Sequence, residues 1–287
     1  MPRPFCFSRL LASIVQSKLG STLMRHLRTI LAISVCLAAS VVAAAQNLSQ
    51  SKPTQISIQP VIRLRAGVEA WPLVASPKTD AERRINATLK LLNRELAHSL
   101  QECDESARQS DLDENDSPKK STRARGVWDR KVRVTMRGPV LLSMVANDEV
   151  FCGGAHPDSD TTAMVFDLGT GKRVDWQTYF SEPLEGPSDT MSDGGIENGL
   201  VIPALREMSL LSAVPDCRTA FVEDQSYLIW PDAKRGVLIA LPVDLPHVVA
   251  ACADQISLTP EKALALGFTA PLIDAIQQAH REYIHTK

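Results

Sequence analysis

His156 is the residue whose neighbours come closest to chemistry, because Asp158 and Asp160 follow it at short spacing. One imidazole and two carboxylates on a short loop can begin a metal site, or the imidazole can serve as a general base. A structural reading competes. Gly153 and Gly154 can take backbone angles closed to other residues, His156 then bonds across the turn, and Pro157 stiffens its exit. The structural reading is the one expected, since a metal drawn to a single loop needs further ligands that the sequence does not identify. His247, His280 and His285 stand alone and are expected to be surface or internally satisfied histidines.

Other chemistries fail on spacing. Asp111-Leu112-Asp113-Glu114-Asn115 starts like a calcium loop, but its sixth position is Asp116 where Gly belongs. Thr122 stands where a bidentate Glu is needed, and Pro118 interrupts the run. There is no Gly-x-Ser-x-Gly elbow, and Ser192-Asp193-Gly194-Gly195 reads as a flexible loop. The Asp-Asp and His-x-x-x-His arrangement of a metal-dependent deacetylase is missing, as is a Lys-Ser/Thr at phosphate-loop spacing. No catalytic residue, metal or cofactor is therefore expected.

The compartment follows from the first 45 residues, which contain no Asp or Glu. Arg25 and Arg28 precede an uncharged run over 29–45 rich in Leu, Ile, Val and Ala, the layout of a secretory signal peptide. Ala43 and Ala45 supply the small side chains at −3 and −1, which places the cut before Gln46. The run is shorter than the ~20 residues a spanning helix needs, so no stable membrane span is expected after cleavage. Met24, immediately before Arg25, is a candidate true start. A lipoprotein at Cys36 is disfavoured by Val35, where Gly or Ala is wanted. A periplasmic or secreted protein is the expectation.

Losing residues 1–45 removes five basic side chains and takes the formal net charge from −2 to −7. Such a chain lacks the basic footprint that nucleic acid requires. It suits a cationic partner, although the same charge also serves ordinary solubility. Cys6 and Cys36 leave with the signal, so Cys103, Cys152, Cys217 and Cys252 remain. An even number in an exported chain implies disulfides, and the CxxC or CxxH spacing of a zinc site is absent. Of the three possible pairings, Cys103 with Cys152 and Cys217 with Cys252 are expected, because each pair ties one half of the chain together.

The elements that carry these residues give an α+β class, with antiparallel sheets packed against a few helices in meander connectivity. A small α+β region is expected over 46–126, an antiparallel α+β domain over 127–287. Ile56 to Leu64 alternates as an extended segment broken at Pro60. Thr79-Asp80-Ala81-Glu82 fits a capping box, and Ile85, Leu89, Leu92, Leu96, Leu100 and Cys103 then form one apolar stripe, a helix over 80–103. Residues 104–126 are polar and read as a mobile loop. Val132, Val134 and Met136 alternate with polar residues in a strand with one buried face. Strands follow over 140–145, from 150, and over 161–168, with a turn at Asn147-Asp148, and Gly169-Thr170-Gly171-Lys172 is a hairpin turn with a return over 173–176. A long surface loop over 181–199 precedes a helical pattern over 200–211. Further strands are expected at 221–222, 227–230 and 237–241, a short unassigned apolar stretch at 248–251, and helices from Thr259-Pro260-Glu261 and over 271–284.

Three segments together carry a resemblance: Cys152-Gly153-Gly154-Ala155-His156-Pro157, then Val165-Phe166-Asp167-Leu168-Gly169-Thr170-Gly171-Lys172, then Trp176-Gln177-Thr178-Tyr179-Phe180. They resemble the RsiV-type C-terminal extracellular domain, found in a lysozyme-sensing anti-sigma factor and alongside some peptidoglycan deacetylases. The resemblance covers roughly 128–266, with Cys152 replacing the usual aromatic before Gly153 and a later segment poorer in aromatics. It implies a non-catalytic domain that binds an envelope partner, a lysozyme-like protein or cell-wall glycan. It also marks Gly153, Gly154, Ala155, His156, Thr170, Gly171 and Lys172 as a structural or binding motif. The alternative from the residues themselves is an envelope hydrolase with a His156-centred site.

Overall fold

In the computed structural model, residues 55–114, 125–154, 156–182, 199–243, 245 and 247–285 are described, all within the unit Pro53–Lys287. The expected signal segment, residues 115–124 of the expected loop over 104–126 and residues 183–198 of that over 181–199 lie outside them. Helix α1 (Asp80–Glu114) opens on a reciprocal cap. The Glu82 N–H donates to Thr79 Oγ1 at 3.1 Å and the Thr79 N–H donates to Glu82 Oε2 at 3.2 Å. Ile85, Leu89, Leu96, Leu100, Cys103 and Ala107 are buried along its length. The helix runs on to Glu114, beyond the expected end at Cys103, and takes the first part of the expected loop. Ala107 prolongs the buried stripe at helical spacing, a signal masked by the polar residues around it.

Two asparagines fasten an extended segment to α1. Asn86 Oδ1 accepts from the Val74 N–H at 2.8 Å while its Nδ2 donates to the Val74 carbonyl at 3.0 Å. Asn93, two turns further on, does the same for Trp71, at 2.8 and 3.0 Å. Each amide supplies the donor and acceptor that a neighbouring strand would otherwise provide.

The first sheet has the order β1 (Arg63–Arg65), β2 (Val68–Glu69), β3 (Val127–Arg137), β4 (Leu141–Phe151) and β5 (Asp158–Asp167). All neighbours are antiparallel except β2 and β3, which α1 connects. The pair β2–β3 crosses the expected boundary at 126/127. Alternation along the strands divides the side chains between two cores. Leu142, Met144, Ala146, Met164 and Phe166 join Ile85 and Leu89 of α1 on one face. Leu141, Val145, Ala163 and Val165 enter a second cluster on the other.

Two expectations about β3 and β4 need correction. β3 does not bury a single face: a bulge at Thr135, between the pairs Val134↔Met144 and Met136↔Ser143, turns Met136 into the opposite core from Val132. The Thr135 carbonyl so turned accepts from the Ala233 N–H, in the turn after Asp232, at 2.8 Å. Asn147-Asp148 is no turn but lies inside an unbroken β4. Its turn preference is overridden because the Asp148 carboxylate is held by Trp128 and Arg130.

The second sheet, antiparallel throughout, has the order β6 (Leu200–Val201), β7 (Ser226–Asp232), β8 (Val237–Pro242) and β9 (Ile256–Leu258). Helix α2 (Pro203–Ser212) follows β6, and α3 (Pro260–Ala265) and α4 (Ala270–His285) close the chain. Leu205 of α2 and Leu272, Ile273 and Ile276 of α4 share one core with β7, β8 and the second face of the first sheet. The expected strand at 221–222 is instead the exit of a 3-10 turn, Pro215–Ala220. Residues 248–251 lie in another, His247–Cys252. The return over 173–176 shrinks to a bridge between Phe166 and Arg173 before the turn Trp176–Tyr179. The protein is α+β, with one mixed and one antiparallel sheet among the described residues. Among the described residues no helix is long and apolar enough to cross a membrane.

Candidate functional site

The two glycine motifs lie at opposite ends of β5, whose ten residues span about 33 Å. Each receives one end of α1. At Gly153, where φ is +94°, an added Cβ would lie 2.3 Å from Ser110 Oγ near the helix C-terminus. At Gly171, where φ is +72°, it would lie 2.3 Å from the Ala81 carbonyl oxygen in the first turn. The Thr170 carbonyl accepts from Arg84 Nη1 at 3.1 Å, and the Thr170 N–H donates to Asp167 Oδ1 at 2.6 Å. Gly153, Thr170 and Gly171 thus seat the long helix, and Lys172 is exposed beside them. Gly154 has open space beyond its Cα, and Ala155 lies outside the described residues.

His156 is exposed, with Nδ1 3.8 Å from Asp158 Oδ1. Asp160 Oδ1 accepts the Thr161 N–H at 2.7 Å. Among the described residues no group of three His, Cys, Asp or Glu side chains is placed to hold a metal ion. His280 Nδ1 lies 2.8 Å from the Ala233 carbonyl, a local satisfaction of the kind expected for a lone histidine.

A cleft of about 630 Å³ opens where the two sheets diverge. It continues the core between them, and the residues change character along the same strand faces. On β4 the face that carries Leu141 and Val145 proceeds to Asn147 and Glu149. On β5 the face with Val165 and Ala163 proceeds to Thr161 and Ser159. Leu228 and Leu241 of the second sheet, with Val243 just past it and Gln255, lie opposite. The cleft thus has polar groups on one wall and an apolar base, a composition suited to orienting a ligand by hydrogen bonds.

Both walls are fastened covalently. The disulfide Cys103–Cys152 ties α1 to the end of β4, just past Glu149 and Phe151. The disulfide Cys217–Cys252 joins the two 3-10 turns of the second half, and Ala250 and Ala253 beside Cys252 line the cleft. Below the first wall, Arg130 and Asp148 form a buried ion pair, Trp128 Nε1 donates to Asp148 Oδ1 at 2.6 Å, and the Arg130 guanidinium stacks 4.8 Å from the Trp71 ring centre. Asp148 is therefore neutralised by its own neighbours. Of the other carboxylates at the cleft, Glu149 stands on the cleft face of β4 and Asp160 on the opposite face of β5, and no Lys or Arg is among the described lining.

No family model matches the chain, and no curated protein matches it in sequence. Among solved structures, the chain is similar to a member of the DUF3298 family from Bacteroides fragilis, with 12% identity and a TM-score of 0.47. That likeness covers 78% of this chain and 96% of the other.

Proposed function

We propose that this is an exported, non-catalytic, RsiV-like domain that binds a cell-envelope partner, protein or peptidoglycan, in the cleft between its sheets. The observation that carries the reading is a cleft whose two walls are each held by a disulfide before any ligand arrives. Walls fixed in advance lower the ordering cost of binding. Disulfides also suit an oxidising compartment outside the cytoplasm, which agrees with the signal-like segment over 1–45. A volume of about 630 Å³ is large enough for several residues of a peptide or a short glycan. The acidic charge favours a basic protein, of which a lysozyme-like partner is the specific form. The glycine motifs support the site indirectly, by seating α1 against the sheet that forms one wall.

The test is retention of the purified chain on immobilised lysozyme and on insoluble peptidoglycan, each at low and high salt. Retention on lysozyme that weakens with salt is expected for a charge-steered protein partner. Retention on peptidoglycan at both salts marks the glycan form instead. No retention on either matrix at any ionic strength removes the reading.

A further inference from the structure

The outer edge of β5 is paired over only part of its length. The Val165 carbonyl accepts from the Val174 N–H at 2.9 Å, and the Asp167 N–H donates to the Lys172 carbonyl at 3.0 Å. The Ala163 carbonyl accepts from Arg173 Nη2 at 3.3 Å. These odd-numbered residues therefore turn their backbone groups away from β4, and an unbroken register carries the same direction on to Thr161 and Ser159. Beyond Ala163 no strand lies against this edge among the described residues, because β5 is the last strand of its sheet. The Thr161 N–H is taken by Asp160, but the Thr161 carbonyl and the Ser159 backbone face outward at the cleft.

We infer that an extended, Lys- or Arg-bearing segment of a protein partner adds to the open edge of β5 at Ser159 and Thr161 and lays alternate side chains into the cleft. This rests on the binding-module reading and gives it a partner chemistry. Strand addition takes its affinity from backbone hydrogen bonds and its specificity from every second side chain. The cleft supplies both. Ser159 and Thr161 offer the ladder, and Leu228 and Leu241 receive the apolar part of an incoming side chain. Glu149, with no cation beside it in the described lining, attracts its charge. A glycan is the weaker occupant because no aromatic ring is among the described residues that line the cleft, to stack on a sugar face.

The experiment titrates the full chain with an alternating Lys-Thr peptide by isothermal calorimetry. Three probes stand beside it: the same peptide methylated on alternate backbone nitrogens, an alternating Glu-Thr peptide, and a soluble chitooligosaccharide. The Lys-Thr peptide is expected to bind, with methylation or replacement by Glu-Thr weakening it about tenfold or more. Ser159→Pro blocks the edge with its ring while sparing the bonds to β4, and Glu149→Lys reverses an exposed charge; each is expected to weaken binding by a similar factor. Equal binding of the methylated peptide overturns the proposal, and it needs no variant to fold. So does saturable chitooligosaccharide binding where the Lys-Thr peptide shows none. If lysozyme or peptidoglycan is retained and neither variant weakens it, strand addition fails while the binding-module reading stands.

Discussion

Gly171 occupies a place where a single methyl group has no room. Its φ of +72° is one that L side chains rarely adopt, and the atom an added Cβ would strike belongs to the Ala81 backbone. Gly171→Ala is therefore expected to cost about 2–4 kcal/mol, combining left-handed strain with overpacking. Gly154→Ala carries the strain of φ +101° without the collision and is expected to cost about 1–2 kcal/mol. Equal losses in urea denaturation would show that the seat for α1 is not what fixes Gly171. Asp148 makes a different case, since its type suggests a turn and its place is a buried ion pair. Asp148→Ala leaves Arg130 charged in the interior, where Nε already has no hydrogen-bond partner among the described residues, and is expected to cost about 3–5 kcal/mol. A loss under about 1 kcal/mol in the same assay would put the pair in solvent. The glycines were legible as special positions because few residues tolerate their backbone angles. Nothing in the local sequence distinguishes an Asp that ends a strand from one that pairs across it.

Helix α1 shows how far an element can be read and where reading stops. Its cap and stripe are local patterns, and both are present as expected. Its extension past Cys103 depends on Gly153, Ser110 and the disulfide to Cys152, which are tertiary facts. The same holds for Asn86 and Asn93, whose amides look like solvated helix positions until the segment over 71–74 is laid beside them. Asn86→Ala is expected to cost about 1–3 kcal/mol, because the Val74 N–H and carbonyl lose their partners in a buried setting. Removing the Cys103–Cys152 bond with a double Ala variant frees a loop set by a sequence separation of 49, worth up to about 4 kcal/mol on loop entropy. Because Leu96 and Leu100 pack in only a small cluster with Val68, the helix beyond them is expected to gain hydrogen exchange first. Exchange spread evenly along α1 in that variant would mean the bond does not hold this end.

At the scale of the whole molecule, alternation in the strands gave away the sheets but not the two cores they serve. A strand such as β4, buried on both faces, reads as a continuous apolar run, and only the partner sheet decides which residues face which cluster. The cleft was equally hidden, since it arises from the polar ends of two strands meeting a sheet formed by residues far along the chain. The resemblance drew attention to the glycine motifs, and these occupy opposite ends of β5, away from one another.

The shared core also carries a titratable group whose behaviour tests it. Tyr227 is fully buried in that core on the face of β7 that meets α2, and its hydroxyl lies 2.8 Å from Ser209 Oγ. Burial raises its pKa above the ordinary value of 10.0, opposed in part by the Ser209 hydrogen bond and by Arg206. Burial likewise raises that of Tyr179, with Asp167 adding to the effect. In the unfolded chain both ionise near the ordinary value, so the folded state holds its protons to higher pH. The stabilisation is complete below about pH 10 and is lost as pH rises through the folded values. Tyr227→Phe gives up one buried hydrogen bond and is expected to be about 1 kcal/mol less stable at neutral pH. Above about pH 10 it has no phenol to ionise at that position, so its stability should fall less steeply and the two curves should converge. Lysine and arginine titrations are common to both proteins and cancel in the difference. Guanidinium midpoints measured from neutral to strongly alkaline pH read the effect directly. Parallel curves across that range would mean that Tyr227 ionises as freely in the folded chain as in water, and that the core beneath α2 is open.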